Sequence, residues 1–227
     1  MAVHEPAYEG IYGIPEAALY LRSSPPFQNG HAVTLPTARL RYWIRTGVSP
    51  ITPIGLPSNR LFISFRDLIT MRLVAVLRFR GLGMEDIRRT ERNMRAIFQV
   101  EWPFVWRPLW TYGSRPFTEL GTKLLEVSNG QLAMDFLREW LRHVELDMSF
   151  DDQDLVASWS PSPGVRINPK IRLGDPCIDG SRIPTKTIWG KIKAGDSIEV
   201  VSSLYGLSET QIDYAITWEQ RLLAAKS

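Results

Sequence analysis

The chain has 227 residues, of which 44% are hydrophobic and 22% charged, so it can build a core and is neither disordered nor of low complexity. One cysteine cannot form an internal disulfide and three scattered histidines offer no zinc cluster, so we expect a cytoplasmic protein without metal or other cofactor. The N-terminus lacks a signal-peptide pattern, and Arg72 interrupts the most apolar stretch, residues 68–77. We therefore expect no membrane association.

Charge is distributed unevenly along the chain. Residues 1–97 carry 13 arginines and no lysine against 7 acidic residues, net +6, whereas residues 98–165 are net −5 and residues 166–227 net +2. Guanidinium groups pair bidentately with phosphates and with the guanine edge, so this bias favours a nucleic acid as partner. A solvated helical surface is the alternative explanation.

Two N-terminal helices are predicted from apolar periodicity. The first begins near Pro15, and the second runs from Thr37 to Arg45 and ends at Gly47. In the second helix Leu40, Trp43 and Ile44 share one face, which leaves Arg41, Tyr42 and Arg45 on the other. Such a helix can pack inward and contact a ligand outward.

A short hairpin and two further helices follow. Residues 50–59 are rich in turn formers and precede an apolar stretch that begins after Arg60, so we expect a hairpin with Arg60 near its tip. Ser64 and Asp67 have the spacing of a capping box for a helix to Phe79, and Gly81 and Gly83 separate that helix from the next, residues 84–98.

This part of the chain resembles the MerR-type winged helix-turn-helix family. The matching segments are residues 36–50 (PTARLRYWIRTGVSP), 65–68 (FRDL) and 77–88 (LRFRGLGMEDIR). The chain departs from the family by about a dozen extra residues between the first two helices and by the absence of effector cysteines, so no metal-sensing role is carried over. The resemblance implies DNA contacts from Thr37, Arg39, Arg41, Tyr42, Arg45 and Arg60.

The middle segment, residues 98–165, is predicted as a β-hairpin plus helix that connects the two ends. The alternation of aromatic residues over residues 102–113 indicates an edge strand. Its aromatic side chains would pack on the core or, alternatively, stack on single-stranded bases. Residues 123–128 indicate a second strand, and residues 131–145 indicate a helix. The acidic run 151–154 and the Ser/Pro-rich residues 159–164 are typical of a solvated linker.

The C-terminal segment, residues 166–227, resembles the bacterial family called domain of unknown function 433. The matching phrases are residues 167–171 (INPKI), 174–185 (GDPCIDGSRIPT) and 195–212, with Ser181 in place of the family's threonine. The resemblance implies three helices with a helix-turn-helix outline. The weakly charged exposed face of these helices favours docking of a partner over contact with DNA. We interpret Arg182 and Asp175 as structural residues and Cys177 as a buried small side chain.

Together the sequence predicts a mainly α fold with a small β element, divided into residues 1–97, 98–165 and 166–227. The combination resembles the long VapB-type antitoxins. It implies a homodimer or larger oligomer that binds a double-stranded DNA operator, represses its own promoter and neutralises a cognate PIN-domain ribonuclease toxin. A stand-alone transcription regulator that responds to a ligand is the alternative. The sequence has no recognisable catalytic constellation, so we expect no enzyme.

Overall fold

The computed structural model describes residues 10–24, 35–47, 49–51, 54–55, 60–79, 81–111 and 148–226. In these ranges the helices are α1 (Ile14–Ser23), α2 (Thr37–Arg45), α3 (Phe65–Phe79), α4 (Met84–Phe98), α5 (Arg107–Thr111), α6 (Thr185–Lys193), α7 (Ile198–Tyr205) and α8 (Glu209–Ala224). The strands are β1 (Ile11–Gly13), β2 (Ile54–Gly55), β3 (Leu61–Ser64), β4 (Met148–Phe150), β5 (Val156–Ser162), β6 (Val165–Ile167) and β7 (Pro176–Ile178).

The fold class expected from the sequence is wrong. The chain is a mixed α and β structure with two antiparallel sheets, one of three strands in the order β1-β3-β2 and one of four in the order β4-β5-β6-β7. The β content was underestimated because β1 is only three residues long and because β5, an inner strand of the four-stranded sheet, overlaps the segment where a linker was expected.

The N-terminal elements agree with the sequence prediction. Helices α1 to α4 lie where periodicity placed them, and β2 pairs with β3 as the expected hairpin, with Ile54 opposite Phe62. The capping box at the start of α3 is confirmed, because the Asp67 carboxylate accepts from the Ser64 N–H at 3.1 Å while Ser64 Oγ accepts from the Asp67 N–H at 3.1 Å. Strand β1, which pairs along β3 on its other edge, was not predicted.

Helix α3 is the centre of the molecule. Every residue from Phe65 to Leu77 except Arg66 is buried, and this includes the charged Asp67 and Arg72. The Arg72 guanidinium lies over the Trp159 ring of β5 at 5.0 Å, so the cation that interrupts the apolar run contacts an aromatic face. A helix that is apolar on all sides must be surrounded, and the two sheets and the other helices provide that cover.

The solvated linker predicted before residue 166 is wrong. Strand β5 pairs with β4 on one side and with β6 on the other, and Val156, Ser158 and Trp159 are buried in it. The prolines that suggested a linker are tolerated because the β5–β6 register shifts between Trp159 and Ser162, an irregularity that accommodates Pro161.

The edge strand predicted for residues 102–113 is also wrong over residues 102–111, the part of this segment that the structure describes. Pro103–Val105 form a 3-10 turn and Arg107–Thr111 form α5, so Pro103 and Pro108 occupy first turns of short helices, where a missing N–H costs little. Phe104 and Trp110 are buried, and Trp110 Nε1 donates to the Phe104 carbonyl at 2.9 Å. These two rings face the core and cannot stack on bases. The second strand and the helix predicted for residues 123–145 lie outside the described residues.

One hydrophobic cluster joins the N-terminal and C-terminal segments. Tyr20 of α1 packs on Trp218 of α8 with ring centroids 6.1 Å apart, and Tyr12 Oη donates to the Gly174 carbonyl at 3.2 Å. Trp159, Val165, Ile167 and Leu222 belong to the same cluster as the α3 residues. The three C-terminal helices are confirmed, and they enclose a second, smaller cluster that includes Ile178, Ile188, Val201 and Ile212.

Candidate nucleic-acid interface

Helix α2 has the two faces that the sequence predicted. Leu40, Trp43 and Ile44 are buried, whereas Arg41 and Arg45 are exposed and Tyr42 is 61% exposed. The helix ends with Thr46, whose hydroxyl donates to the Tyr42 carbonyl at 2.7 Å, followed by Gly47 at φ +62°. The apolar face therefore anchors α2 and leaves its basic face accessible.

Three of the predicted arginines converge on one cleft. Arg41 and Arg45 of α2 and Arg60, which precedes β3, line an open cleft of about 450 Å³ together with the start of α1. Within the described ranges, none of these three guanidinium groups forms an ion pair. Three positive charges gathered without internal neutralisation create a field that attracts an anion.

Other predicted site residues lie apart from this cleft. Arg39 is exposed but does not line it, and Thr37 is half-buried and lines a different cleft between α1 and the C-terminal helices. The sequence did not indicate that Gly13, Pro15 and Phe62 complete the arginine cleft, because α1 and the β2–β3 hairpin meet there only after folding.

Several basic side chains elsewhere are engaged inside the protein. Along α4, Arg89, Arg92 and Arg95 each pair with a carboxylate of the same helix. In the C-terminal segment, Lys186 Nζ lies 2.7 Å from Asp175, Lys191 lies 3.8 Å from Asp196, and Lys193 covers the Trp189 ring. The arginines at α2 and Arg60 therefore differ from those of α4 in having no ion-pair partner among the described residues.

A bidentate ion pair holds the loop that follows β7, residues 179–184, which lies within the matching phrase 174–185. Arg166 of β6 donates to both carboxylate oxygens of Asp179, at 2.6 and 3.0 Å, and the Gly180 N–H also donates to Asp179. The hydrogen bond from Arg166 lowers the pKa of Asp179. Sequence reasoning missed this pair because its members stand 13 residues apart.

The residues around this ion pair make contacts within the protein, as the sequence interpretation expects of structural residues. The Ser181 hydroxyl donates to the Ile178 carbonyl at 2.9 Å, and Asp175 pairs with Lys186; Arg182 contributes its carbonyl, which accepts from Arg172 Nε at 3.3 Å. Cys177 is 3% exposed, and burial raises the pKa of its thiol. The loop is thus a structural element whose hydrogen bonds are made within the protein.

Comparisons with known proteins agree with the C-terminal assignment. Residues 165–218 match the model of a family described as "Protein of unknown function (DUF433)", and we use the term DUF433 domain for the C-terminal segment that contains this match. The crystal structure of Rv2018 from Mycobacterium tuberculosis is similar over 91% of this chain and 96% of that chain, with a TM-score of 0.67 and 21% identity, which shows a shared fold. No curated protein matches the chain.

The described ranges of the chain have two further properties. No group of three or more His, Cys, Asp or Glu side chains is arranged there to hold a metal ion. None of the helices described is long and apolar enough to cross a membrane.

Proposed function

We propose that this protein binds double-stranded DNA through α2 and the β2–β3 hairpin. The observation that carries the proposal is the convergence of Arg41, Arg45 and Arg60 on one open cleft without an acidic partner among the described residues. A guanidinium group matches a phosphate or the O6 and N7 atoms of guanine with two parallel hydrogen bonds. An exposed helix flanked by a hairpin places such groups where a major groove and its backbone can receive them.

We further propose that DNA binding serves an antitoxin that represses its own promoter and neutralises a PIN-domain ribonuclease. Support comes from the MerR-like segments around α2, α3 and α4 combined with the DUF433 domain, the arrangement that resembles VapB-type antitoxins. The test is purification of the full chain from its native host. Co-purification with the product of an adjacent nuclease gene is expected; its absence would favour the stand-alone regulator.

The DNA-binding proposal is tested by the double variant Arg41→Glu/Arg45→Glu. Both side chains are exposed and lie opposite the buried stripe of α2, so the fold should persist. Because one bidentate contact contributes about 1–3 kcal/mol, affinity for a duplex of the gene's own upstream region should fall about a hundredfold or more. The dependence of the residual affinity on salt concentration should also become shallower.

The matched control is Lys170→Glu/Arg182→Glu, which changes the net charge equally at two exposed positions outside the cleft. Circular dichroism checks that all three proteins are folded. An equal loss in both double variants would mean that net charge alone drives binding, and no loss in the α2 variant would remove α2 as the DNA-binding element.

A further inference from the structure

A second cleft lies between the N-terminal helices and the DUF433 domain. It measures about 440 Å³, and its apolar wall is formed by Pro15 and Leu19 of α1, Pro176 of β7 and Leu222 of α8. Pockets of a few hundred cubic ångströms with apolar walls and a few polar groups are typical of sites for small organic molecules. The position between two segments of the fold is also common for such sites.

The two carboxylates of this cleft are already engaged. Glu16 accepts from the Gly13 N–H at 3.4 Å and from Tyr20 Oη at 2.9 Å. Glu219 accepts from Thr185 Oγ1 at 2.6 Å, and burial raises its pKa, which favours its neutral form. Both carboxylates therefore already accept hydrogen bonds from groups within the protein.

The cations of the cleft are less fully engaged. Lys186 pairs with Asp175, but Arg22 and Lys226 form no ion pair with any residue in the described ranges. The Nε atom of Arg22 is buried and, within those ranges, has no hydrogen-bond partner. An apolar wall therefore adjoins two cationic side chains that lack a direct ion-pair partner in those ranges.

We propose that this cleft binds a small organic acid, a molecule with an apolar body and one anionic group. The apolar body lies against Leu19 and Leu222, and the anionic group pairs with Arg22 and Lys226. An arginine presents several N–H donors in a plane, which suits a carboxylate or a phosphate equally.

The location of the site connects it to the DNA-binding surface, a step that depends on the proposed DNA binding. Pro15 lines both this cleft and the arginine cleft, and Thr37, the first residue of α2, lines this one. A bound acid would contact α1, whose Pro15 also lines the arginine cleft. The binding free energy of the acid then differs between arrangements of α1 and α2, and DNA affinity changes accordingly.

The site is tested directly by nuclear magnetic resonance on the full ¹⁵N-labelled chain titrated with 2-naphthoate. Saturable shift changes are expected at residues of α1, α6 and α8. The neutral analogue 2-naphthamide should bind about tenfold more weakly, since it lacks the charge-assisted contacts. Equal affinity for the two molecules, or shift changes spread over surfaces remote from the cleft, would overturn the proposal.

Variants localise the binding. Arg22→Gln and, separately, Lys226→Gln should each weaken 2-naphthoate binding several-fold and leave 2-naphthamide binding unchanged. Leu19→Trp should fill the cleft and abolish both. Lys170→Gln, an exposed lysine outside the cleft, is the control and should bind like the wild type. Wild-type affinity in both Arg22→Gln and Lys226→Gln would contradict the assigned anion position.

The link to DNA is measured separately. Saturating 2-naphthoate should change the DNA affinity of the wild type at least about threefold. It should leave the DNA affinity of the Leu19→Trp variant unchanged. If 2-naphthoate binds but DNA affinity does not change, the proposed coupling between the cleft and DNA binding is wrong. The proposed ligand site itself would be unaffected by that result. Absence of DNA binding with or without 2-naphthoate would instead count against the proposed function, because ligand binding is observed without DNA.

Discussion

At the scale of residues, the ion pair between Arg166 and Asp179 is a bidentate contact within the DUF433 domain. The two hydrogen bonds are parallel and short, and the hydroxyl of Ser158 accepts a third bond from the same guanidinium at 2.9 Å. Because both partners are partly exposed, solvent screening limits the contribution of the pair to stability. Its main effect is to hold β6 against the loop that follows β7.

This contact makes stability depend on pH. The folded protein lowers the pKa of Asp179, so the stabilisation is present above the unfolded pKa, about 3.9, and is lost as the pH falls through the folded pKa. Asp179→Asn should lower the melting temperature at neutral pH by about 2–4 °C, equivalent to about 1 kcal/mol, and the difference should vanish in stronger acid.

Calorimetry between pH 2 and 7 measures this difference. Asp213→Asn, which removes an exposed carboxylate of α8, is the control and should show little change at any pH. A deficit in Asp179→Asn that is independent of pH would show that the carboxylate charge is not the stabilising feature.

At the scale of elements, the turn between β5 and β6 depends on a glycine for two separate reasons. Gly164 has φ +67°, and a Cβ atom at this position would overlap the ring of Tyr214 on α8. Gly180 has φ +75° but open space around it. The two positions therefore separate backbone strain from steric overlap.

Gly180→Ala should cost about 1 kcal/mol, the penalty for an L-residue in the left-handed region. Gly164→Ala should cost more, about 2–4 kcal/mol, because the Tyr214 ring must also move. Chemical denaturation measures both. Combining Gly164→Ala with Tyr214→Ala should cost less than the sum of the two single changes; simple additivity would mean that the ring and the turn do not interact.

Elements stabilised by local sequence were predictable, and elements stabilised by distant partners were not. The buried stripe of α2 and the capping box of α3 depend on residues three or four positions apart, which periodicity reveals. Strand β5 contains Pro161, and only its pairing with β4 and β6 makes it a strand. In the candidate site, Arg41 and Arg45 were predictable as neighbours, but the cleft they share with Pro15 is formed by tertiary contacts.

At the scale of the whole molecule, the shared core couples the N-terminal helices to the DUF433 domain. Tyr20 contacts Tyr12 and Trp218, each with ring centroids 6.1 Å apart. Tyr20→Ala should therefore destabilise the entire protein by about 3–5 kcal/mol, and α1 and α8 should lose protection from hydrogen exchange together.

Leu223→Ala, at an exposed position on α8, is the control and should change stability by less than about 0.5 kcal/mol. Faster exchange in α1 alone would mean that the two segments unfold independently. In that case a C-terminal fragment could fold without α1, whereas a shared unfolding unit requires the full chain.

DNA recognition of the proposed kind also requires assembly. A protein that presents one recognition helix per chain binds two half-sites about one helical turn apart when it forms a two-fold dimer. Light scattering at tens of micromolar should show at least a dimer, and footprinting should show an inverted repeat. A monomer that protects one asymmetric site would contradict this prediction.

The location of Cys177 has a practical consequence for measuring how often the native protein opens around β7. The only thiol of the chain lies on β7, directly before Ile178 of the smaller hydrophobic cluster, and is shielded from solvent. Because its side chain is only 3% exposed, a thiol-reactive reagent should modify Cys177 slowly while β7 stays paired and faster when β7 separates from its neighbours. The rate of covalent labelling therefore reports how often the native protein opens, without an introduced probe, and a ligand or DNA that stabilises the closed state should slow it measurably.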